Sequence, residues 1–255
     1  MALDFDAIKR RLDRLSGNNT NRSTQWKPEE GKSTQVRLLS FPDNDGQPFK
    51  ELMFYYNVPG QRSILAPSQY GKRDPFQELI DKLGEEGTKE AYEMRKKLFP
   101  KMRVYAPVVV RGEEDKGVQI WSFGKMVYQA ILTYMMDEEY GDITDVDSGT
   151  DITVTVTKPP GQQWAKTEIL PRRKASKLGT KEQVQEWTSN IPDPSQMFSL
   201  KSYEELSTII NNWLSGDEEN EDVGTERGSS SSTSSSGSEK DYDGDIDSAF
   251  DDLMK

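Results

Sequence analysis

The chain contains no cysteine and no histidine. Disulfides, thiolate nucleophiles, imidazole bases and the usual nitrogen and sulfur metal ligands are therefore excluded, and most familiar catalytic constellations go with them. No spaced set of carboxylates stands beside a phosphate loop or a nucleophile, so an enzyme is not expected. Gly31, Lys32 and Ser33 imitate the end of a phosphate loop, yet its earlier glycine would fall at Trp26 and a strand follows where a helix is needed. A calcium loop starting at Asp241 fails similarly, with Gly244 misplaced and Ile246 where glycine should stand. The expectation is no cofactor and no bound metal. An apolar signal run near Met1 and a membrane-length apolar segment are both missing, so no membrane partner is expected and the cytoplasm is the expected location. Apolar residues are scarce as well: 33% of 255 residues are hydrophobic and 30% charged, so the folded core must be smaller than the length suggests.

The charge is unevenly spread. The net charge is -11, and residues 217–255 carry 13 acids against 3 bases, leaving 31 acids and 30 bases before them. A nearly neutral body with local basic clusters can bind phosphate, whereas a uniformly acidic one would repel it. Past Gly216 the composition turns to acids, Gly and Ser, including SSSSTSSSGS, which cannot bury enough apolar surface to order itself. At its end Ile246, Phe250 and Leu253 stand at i, i+4 and i+7 among Asp245, Asp247, Asp251 and Asp252, the pattern of a peptide that folds into a partner's basic groove.

Between these ends the pattern is mainly β with α insertions, an α+β class. Phe5, Ile8, Leu12 and Leu15 space a short amphipathic helix whose polar face holds Lys9, Arg10, Arg11 and Arg14; it suits docking on its own body or on a neighbour. Strands are expected at 35–41, 52–57, 104–110, 118–123 and 151–157. Asp74 and Pro75 open a helix with Phe76, Leu79, Ile80 and Leu83 as its apolar stripe. Further helices are expected at 88–99, 125–136, 181–187 and 202–214. The organisation is thus an arm at 1–22, a folded core at 23–215 and an acidic tail at 216–255.

The hairpin of residues 95–128 carries unusual side chains. Lys96, Lys97, Lys101, Arg103, Arg111 and Lys125 alternate with Phe99, Tyr105, Trp121 and Phe123. Cations follow phosphates and rings stack on unpaired bases, so the set suits a single-strand groove; equally, the rings could be core and the charges a solvated face. Tyr70, Lys72 and Arg73 in the loop before the first central helix, Tyr92 in the next helix, and Trp164, Lys166, Arg172, Arg173 and Lys174 further on extend the same chemistry. RNA binding on the same surface, or an adaptor acting through the tail, are the competing functions.

The order WKP, QVRLLSFP, VYAPVVV, IWSFGK, KSYEEL and the Ser-rich linker ending in DIDSAFDDL resembles the helix-destabilising gene 32 protein family of T-even-type bacteriophages, which bind single-stranded DNA. The resemblance implies a five-stranded OB-like barrel with inserted helices. It also implies cooperative coating of single strands in replication, recombination and repair, an arm for self-association, and a tail for phage replication and recombination partners. Tyr70, Tyr105, Trp121 and Lys125 match the family's ring and cation positions, with Tyr92, Phe99 and Trp164 beside them. The family's arm has Ser and Thr after a basic triple, whereas Leu12 and Asp13 follow Lys9, Arg10 and Arg11 here. Its members hold zinc through one His and three Cys in the region equivalent to residues 57–76. With neither residue type, this loop is expected to be held by packing of Pro59, Pro67, Tyr70, Pro75 and Phe76 on Leu79 and Ile80.

Overall fold

A computed structural model of the chain describes residues 24–161 and 164–215, and the fold is α+β, as the patterning predicts. The arm and the acidic tail lie outside the described residues. All five expected strands form: β2 Ser33–Leu38, β3 Lys50–Tyr55, β5 Lys101–Val110, β6 Val118–Phe123 and β7 Ile152–Thr157. Three more join them, β1 Gln25–Trp26, β4 Ile64–Leu65 and β8 Lys166–Pro171. The first two are too short for a period-2 pattern. In β8 only Ile169 and Pro171 are buried, while Lys166, Glu168 and Leu170 are exposed, so its sequence carries little hydrophobic alternation. The helices are α1 Pro75–Glu86, α2 Lys89–Leu98, α3 Lys125–Met135, α4 Lys181–Ser189 and α5 Tyr203–Ser215. No described helix is long and apolar enough to cross a membrane. The described residues divide into two units, residues 24–52 with 102–198 and residues 53–101 with 199–215.

In the first unit the strand order is β1-β6-β5-β2-β7-β8; β1 pairs β6 in parallel and the other neighbours are antiparallel. Strand β5 is buried without a break from Val104 to Val110, the mark of a strand covered on both faces. On one face Val104, Ala106, Val108 and Val110 join Trp26, Val36, Leu38, Trp121, Ile152, Val154 and Ile169, with Ile131 of α3 packed among them. On the other, Val109 meets Leu39, Val118, Leu178 and Trp187 of α4. Strand β7 shows the half-buried alternation its ITVTVT sequence predicts, with Ile152, Val154 and Val156 inward.

Strand periodicity sends Arg37 to the face opposite Val36 and Leu38, where it is fully buried. Its Nε donates to Asp151 Oδ1 at 2.8 Å, Nη1 to the Asp145 carbonyl at 3.1 Å, and Nη2 to the carbonyl and hydroxyl of Ser176, each at 2.8 Å. Burial pulls the guanidinium below its ordinary pKa, with Asp151 opposing. Arg111 grips the same carboxylate, Nε to Oδ2 at 3.1 Å and Nη2 to Oδ1 at 3.0 Å, and donates to the carbonyls of Leu178 at 2.7 Å and Lys177 at 3.2 Å. Two cations and one anion thereby fasten the segment after β8 to the sheet.

The second unit packs α1, α2 and α5 against the paired end of β3 and β4, where Phe54 faces Leu65 and Tyr55 faces Ile64. Phe76, Leu79, Ile80 and Leu83 form the buried stripe of α1, and Ala91, Leu98, Leu206, Ile210 and Leu214 close over it. The loop before α1 is only partly held by packing: Pro67, Pro75 and Phe76 are buried, but Pro59 and Tyr70 are exposed. Polar bonds do the remainder. Asp74, 3% exposed, is the N-cap of α1. Its Oδ1 accepts the amides of Phe76 at 3.1 Å and Gln77 at 3.4 Å, and its Oδ2 accepts the Tyr55 hydroxyl at 2.8 Å and the Ser68 amide at 3.2 Å. The Gln69 side chain mimics a strand beside β3, accepting from the Met53 amide and donating to the Met53 carbonyl, each at 3.1 Å, and it also reaches the Ala66 carbonyl at 2.8 Å. Asn57, at φ 66°, donates to the Lys97 carbonyl in the last turn of α2 at 3.3 Å.

Removing Asp74 strands a buried phenol and leaves three backbone amides without this acceptor. Asp74→Ala should cost about 3 kcal/mol of stability in chemical denaturation, from a lost cap and lost charge-assisted bonds. Burial first, and the Asp74 charge second, push the Tyr55 phenol well above its ordinary value of 10. Its contribution is therefore complete below about pH 10 and is lost as pH rises toward the folded value. The alkaline fall in melting temperature should be shallower in Tyr55→Phe than in the wild type.

Candidate nucleic-acid interface

Each unit carries its own exposed set of rings and cations. In the second unit, helix α2 stops at Leu98 because Pro100 follows, and Tyr92, Lys96 and Phe99 fall at i, i+4 and i+7 along one side. Tyr92 is 60% exposed and Phe99 44%, and Lys96 and Lys97 are exposed beside them. The buried face of the same helix is Ala91 and Leu98, so the ring-bearing side has to point away from the core. The Arg95 guanidinium lies 5.1 Å from the Phe99 ring centre, lending positive charge to a flat surface. Tyr70, 45% exposed, ends a short 3-10 turn at Pro67–Tyr70, and Gly71 turns the chain with φ 67° before exposed Lys72 and Arg73. Arg73 is partly engaged, 4.5 Å over the Tyr203 ring and bonded to Glu78 at 3.2 Å. Lys101 is exposed at the start of β5.

In the first unit Trp164 is 76% exposed just before β8, with exposed Lys166 beside it, bonded to Glu168 at 2.8 Å. Arg172, Arg173 and Lys174 are exposed after β8, in the segment that Arg37 and Asp151 fasten. The Arg172 amide donates to the Asp151 carbonyl at 2.9 Å and its Nη1 to Gln35 Oε1 at 3.0 Å, which orients this basic turn. Lys125 is exposed in the first turn of α3, and Arg103 is half-buried with Nη2 donating to the Ser122 carbonyl at 3.4 Å.

Four residues expected at a groove are turned inward instead. Trp121 is 1% exposed, edge-on to Trp26 at 5.5 Å and tilted on Phe123 at 4.5 Å. Phe123 is 3% exposed against Phe49, and Tyr105 is 4% exposed with its ring 5.6 Å from that of Phe198. Arg111 is bound up with Asp151. Rings with no open face cannot stack on a base, so the competing expectation, rings as core, holds for these three. The sequence carried the warning in VYAPVVV, a run without alternation that belongs in a doubly covered strand. Reasoning from sequence also passed over Arg37 and Gln69. A lone cation inside QVRLLSF needs a buried carboxylate, and Asp151 at the head of ITVTVT is such a partner; nothing local marks Gln69. The arm residues Lys9, Arg10, Arg11 and Arg14 and the tail residues Asp245 to Leu253 lie outside the described residues.

Zinc does not fit the loop. The chain offers no Cys or His, Asp74 is committed to four donors, and no cluster of metal-ligating side chains exists among the described residues.

Trp121→Ala should therefore read as a core cavity, costing about 3 to 5 kcal/mol of stability in denaturant unfolding. A variant that stays as stable as the wild type would contradict that placement.

No curated protein matches the chain. A family model described as gp32 DNA binding protein like matches residues 30–214, which takes in β2 to α5 and every exposed ring and cation described above. That span is most of the chain, and the chain belongs to the gp32-like family of single-stranded DNA-binding proteins.

Proposed function

We propose that the protein coats single-stranded DNA cooperatively, with little sequence preference and without catalysis, during phage DNA replication, recombination and repair in the cytoplasm of the host cell. The five expected strands, all formed, support reading the sheet as an OB-like barrel, a platform suited to single strands. The observation that carries the proposal is the exposure of rings beside cations: Tyr92, Lys96 and Phe99 on one side of α2, and Trp164 close in the chain to Lys166 ahead of β8, with Arg173 and Lys174 exposed beyond the strand's other end. Rings at such exposure accept any base by its face, and lysines and arginines beside them follow the backbone. Lys125, Arg103, Lys101, Lys97, Arg172, Tyr70, Lys72 and Arg73 complete the proposed contact set. The arm serves self-association through Lys9, Arg10, Arg11 and Arg14. The acidic tail competes with the DNA backbone for the basic surface and, once a strand displaces it, recruits replication and recombination partners through Ile246, Phe250 and Leu253.

Poly-thymidine titration followed by tryptophan fluorescence tests the reading, because Trp164 is the large exposed indole among the described residues. Quenching should saturate with a steep, salt-dependent isotherm, and Trp164→Ala should lose most of the signal and about 1 to 3 kcal/mol of affinity. Lys125→Ala should lower the slope of log affinity against log salt by about 1. Deleting residues 217–255 should raise affinity, most at low salt, where screening is weakest. Equal affinity for matched RNA and DNA would favour an RNA-directed role, and no binding at low salt would sink the proposal.

A further inference from the structure

Arg95 stands where helix α2 changes from core to surface. At about 3.6 residues per turn it follows buried Ala91 by one turn and precedes the exposed Phe99 ring by one turn, so its half-buried side chain leaves the core where the rings begin. The guanidinium passes over Gly84 of α1, where a methyl group would stand 3.1 Å from Cζ, 3.3 Å from Nε and 3.4 Å from Nη1. Only the missing side chain leaves that space. The Arg95 Cζ is 5.1 Å from the centre of the Phe99 ring, and the Arg95 carbonyl accepts the Phe99 amide at 3.1 Å. Cation and ring are thus fastened to each other through both backbone and side chain.

The Arg95 charge has no anionic partner among the described residues. Nε is closed off from solvent without an acceptor, and no hydrogen bond or ion pair among the described residues engages the two Nη groups. Arg37, Arg103 and Arg111, also buried or half-buried, each donate to a carboxylate or a carbonyl. A partly desolvated cation held against a ring and a helix, with its donors unused, is a site short of an anion. We infer that Gly84, Arg95 and Phe99 seat one nucleotide: a base stacks on the open part of the Phe99 ring, which is 44% exposed, and Nη1 and Nη2 bind its phosphate. The seat rests on the proposed binding of single strands and adds to that contact set a phosphate ligand that also holds the ring in place. Lysine does not substitute, because an ammonium is a hydrated point charge without the two-pronged donor edge that a phosphate accepts.

The test is the anisotropy of a labelled oligothymidylate bound by the full chain across a salt series, with melting temperatures measured on the same samples. Arg95→Met, which keeps a long side chain over Gly84, should weaken binding about tenfold at low salt and lower the slope of log affinity against log salt by about 1, at an unchanged melting temperature. Arg95→Lys should keep the slope and recover only part of the affinity. Gly84→Leu retains every charge and suits a helix better, but it fills the space the guanidinium occupies and should lower the slope as Arg95→Met does. Arg95→Met combined with Phe99→Ala should lose less than the product of the two single losses, since ring and cation act as one. An unchanged slope in Arg95→Met overturns the seat, whether or not the melting temperature falls, and so do full affinity in Gly84→Leu and independent losses in the combined variant. A wild type that does not bind the oligomer overturns the single-strand reading itself, which keeps the two failures apart.

Discussion

The carboxylate of Asp151 is the fixed point of the first unit. It neutralises one fully buried guanidinium and one half-buried one, and those two arginines between them hold the carbonyls of Asp145, Ser176, Lys177 and Leu178. Buried ion pairs contribute little net stability compared with apolar side chains of the same shape, because both ions leave water. Their directionality is what matters here. Hydrophobic contact would hold the segment after β8 against the sheet without fixing its path, whereas bonds from two planar forks to named carbonyls allow only one. The Arg172 amide bonds to the carbonyl of Asp151 itself, so the basic turn that follows β8 takes its position directly from the clamp.

This separates the arginines and lysines into two working groups. Arg37 and Arg111 are committed to structure and spend their charge internally; Arg173, Lys174, Lys96 and Lys97 are exposed. The aromatic residues divide in the same way, with Trp26, Trp121 and Phe123 interlocked in the core and Tyr92, Phe99 and Trp164 outside it. A composition count cannot distinguish the two groups, because a nucleic-acid surface and a sheet core draw on the same residue types. Burial decides.

That is why the fold was more legible in the sequence than the site. Strands such as ITVTVT and helix boundaries such as Asp74-Pro75 are set by neighbours in the chain, through side-chain period and local capping, and they appear where expected. The orientation of Trp121 is set by Trp26, nearly a hundred positions away, across a parallel β1–β6 pairing that no local pattern announces. The same holds for Arg37, whose partner is 114 residues distant. The exposure of a ring is legible where it sits on a helix with a clear buried side, as Tyr92 does. It is not legible on β5 and β6, where both faces are covered and alternation says nothing about solvent.

The loop after β3 shows how a segment with neither Cys nor His can be tied down by side-chain bonds to main chain. A tetrahedral ion ties four side chains to a single point and fixes the loop strongly but conditionally, since binding depends on metal supply and on deprotonated ligands. Here the tie is spread over Asp74, Gln69 and Asn57, each bonded mainly to main chain. Main-chain partners remain present whatever the solvent contains, so the loop's integrity follows the unit's own folding and not an external ligand. Asp74 joins the two functions that matter: as the N-cap it starts the helix whose buried stripe is the unit's core, and through Ser68 it holds the turn that presents Tyr70. A single carboxylate thus couples the order of an exposed ring to the stability of the core beneath it. Loss of packing under α1 would be felt at the surface as loss of the Tyr70 turn, and through Ala91 and Leu98 on the helix that carries Tyr92.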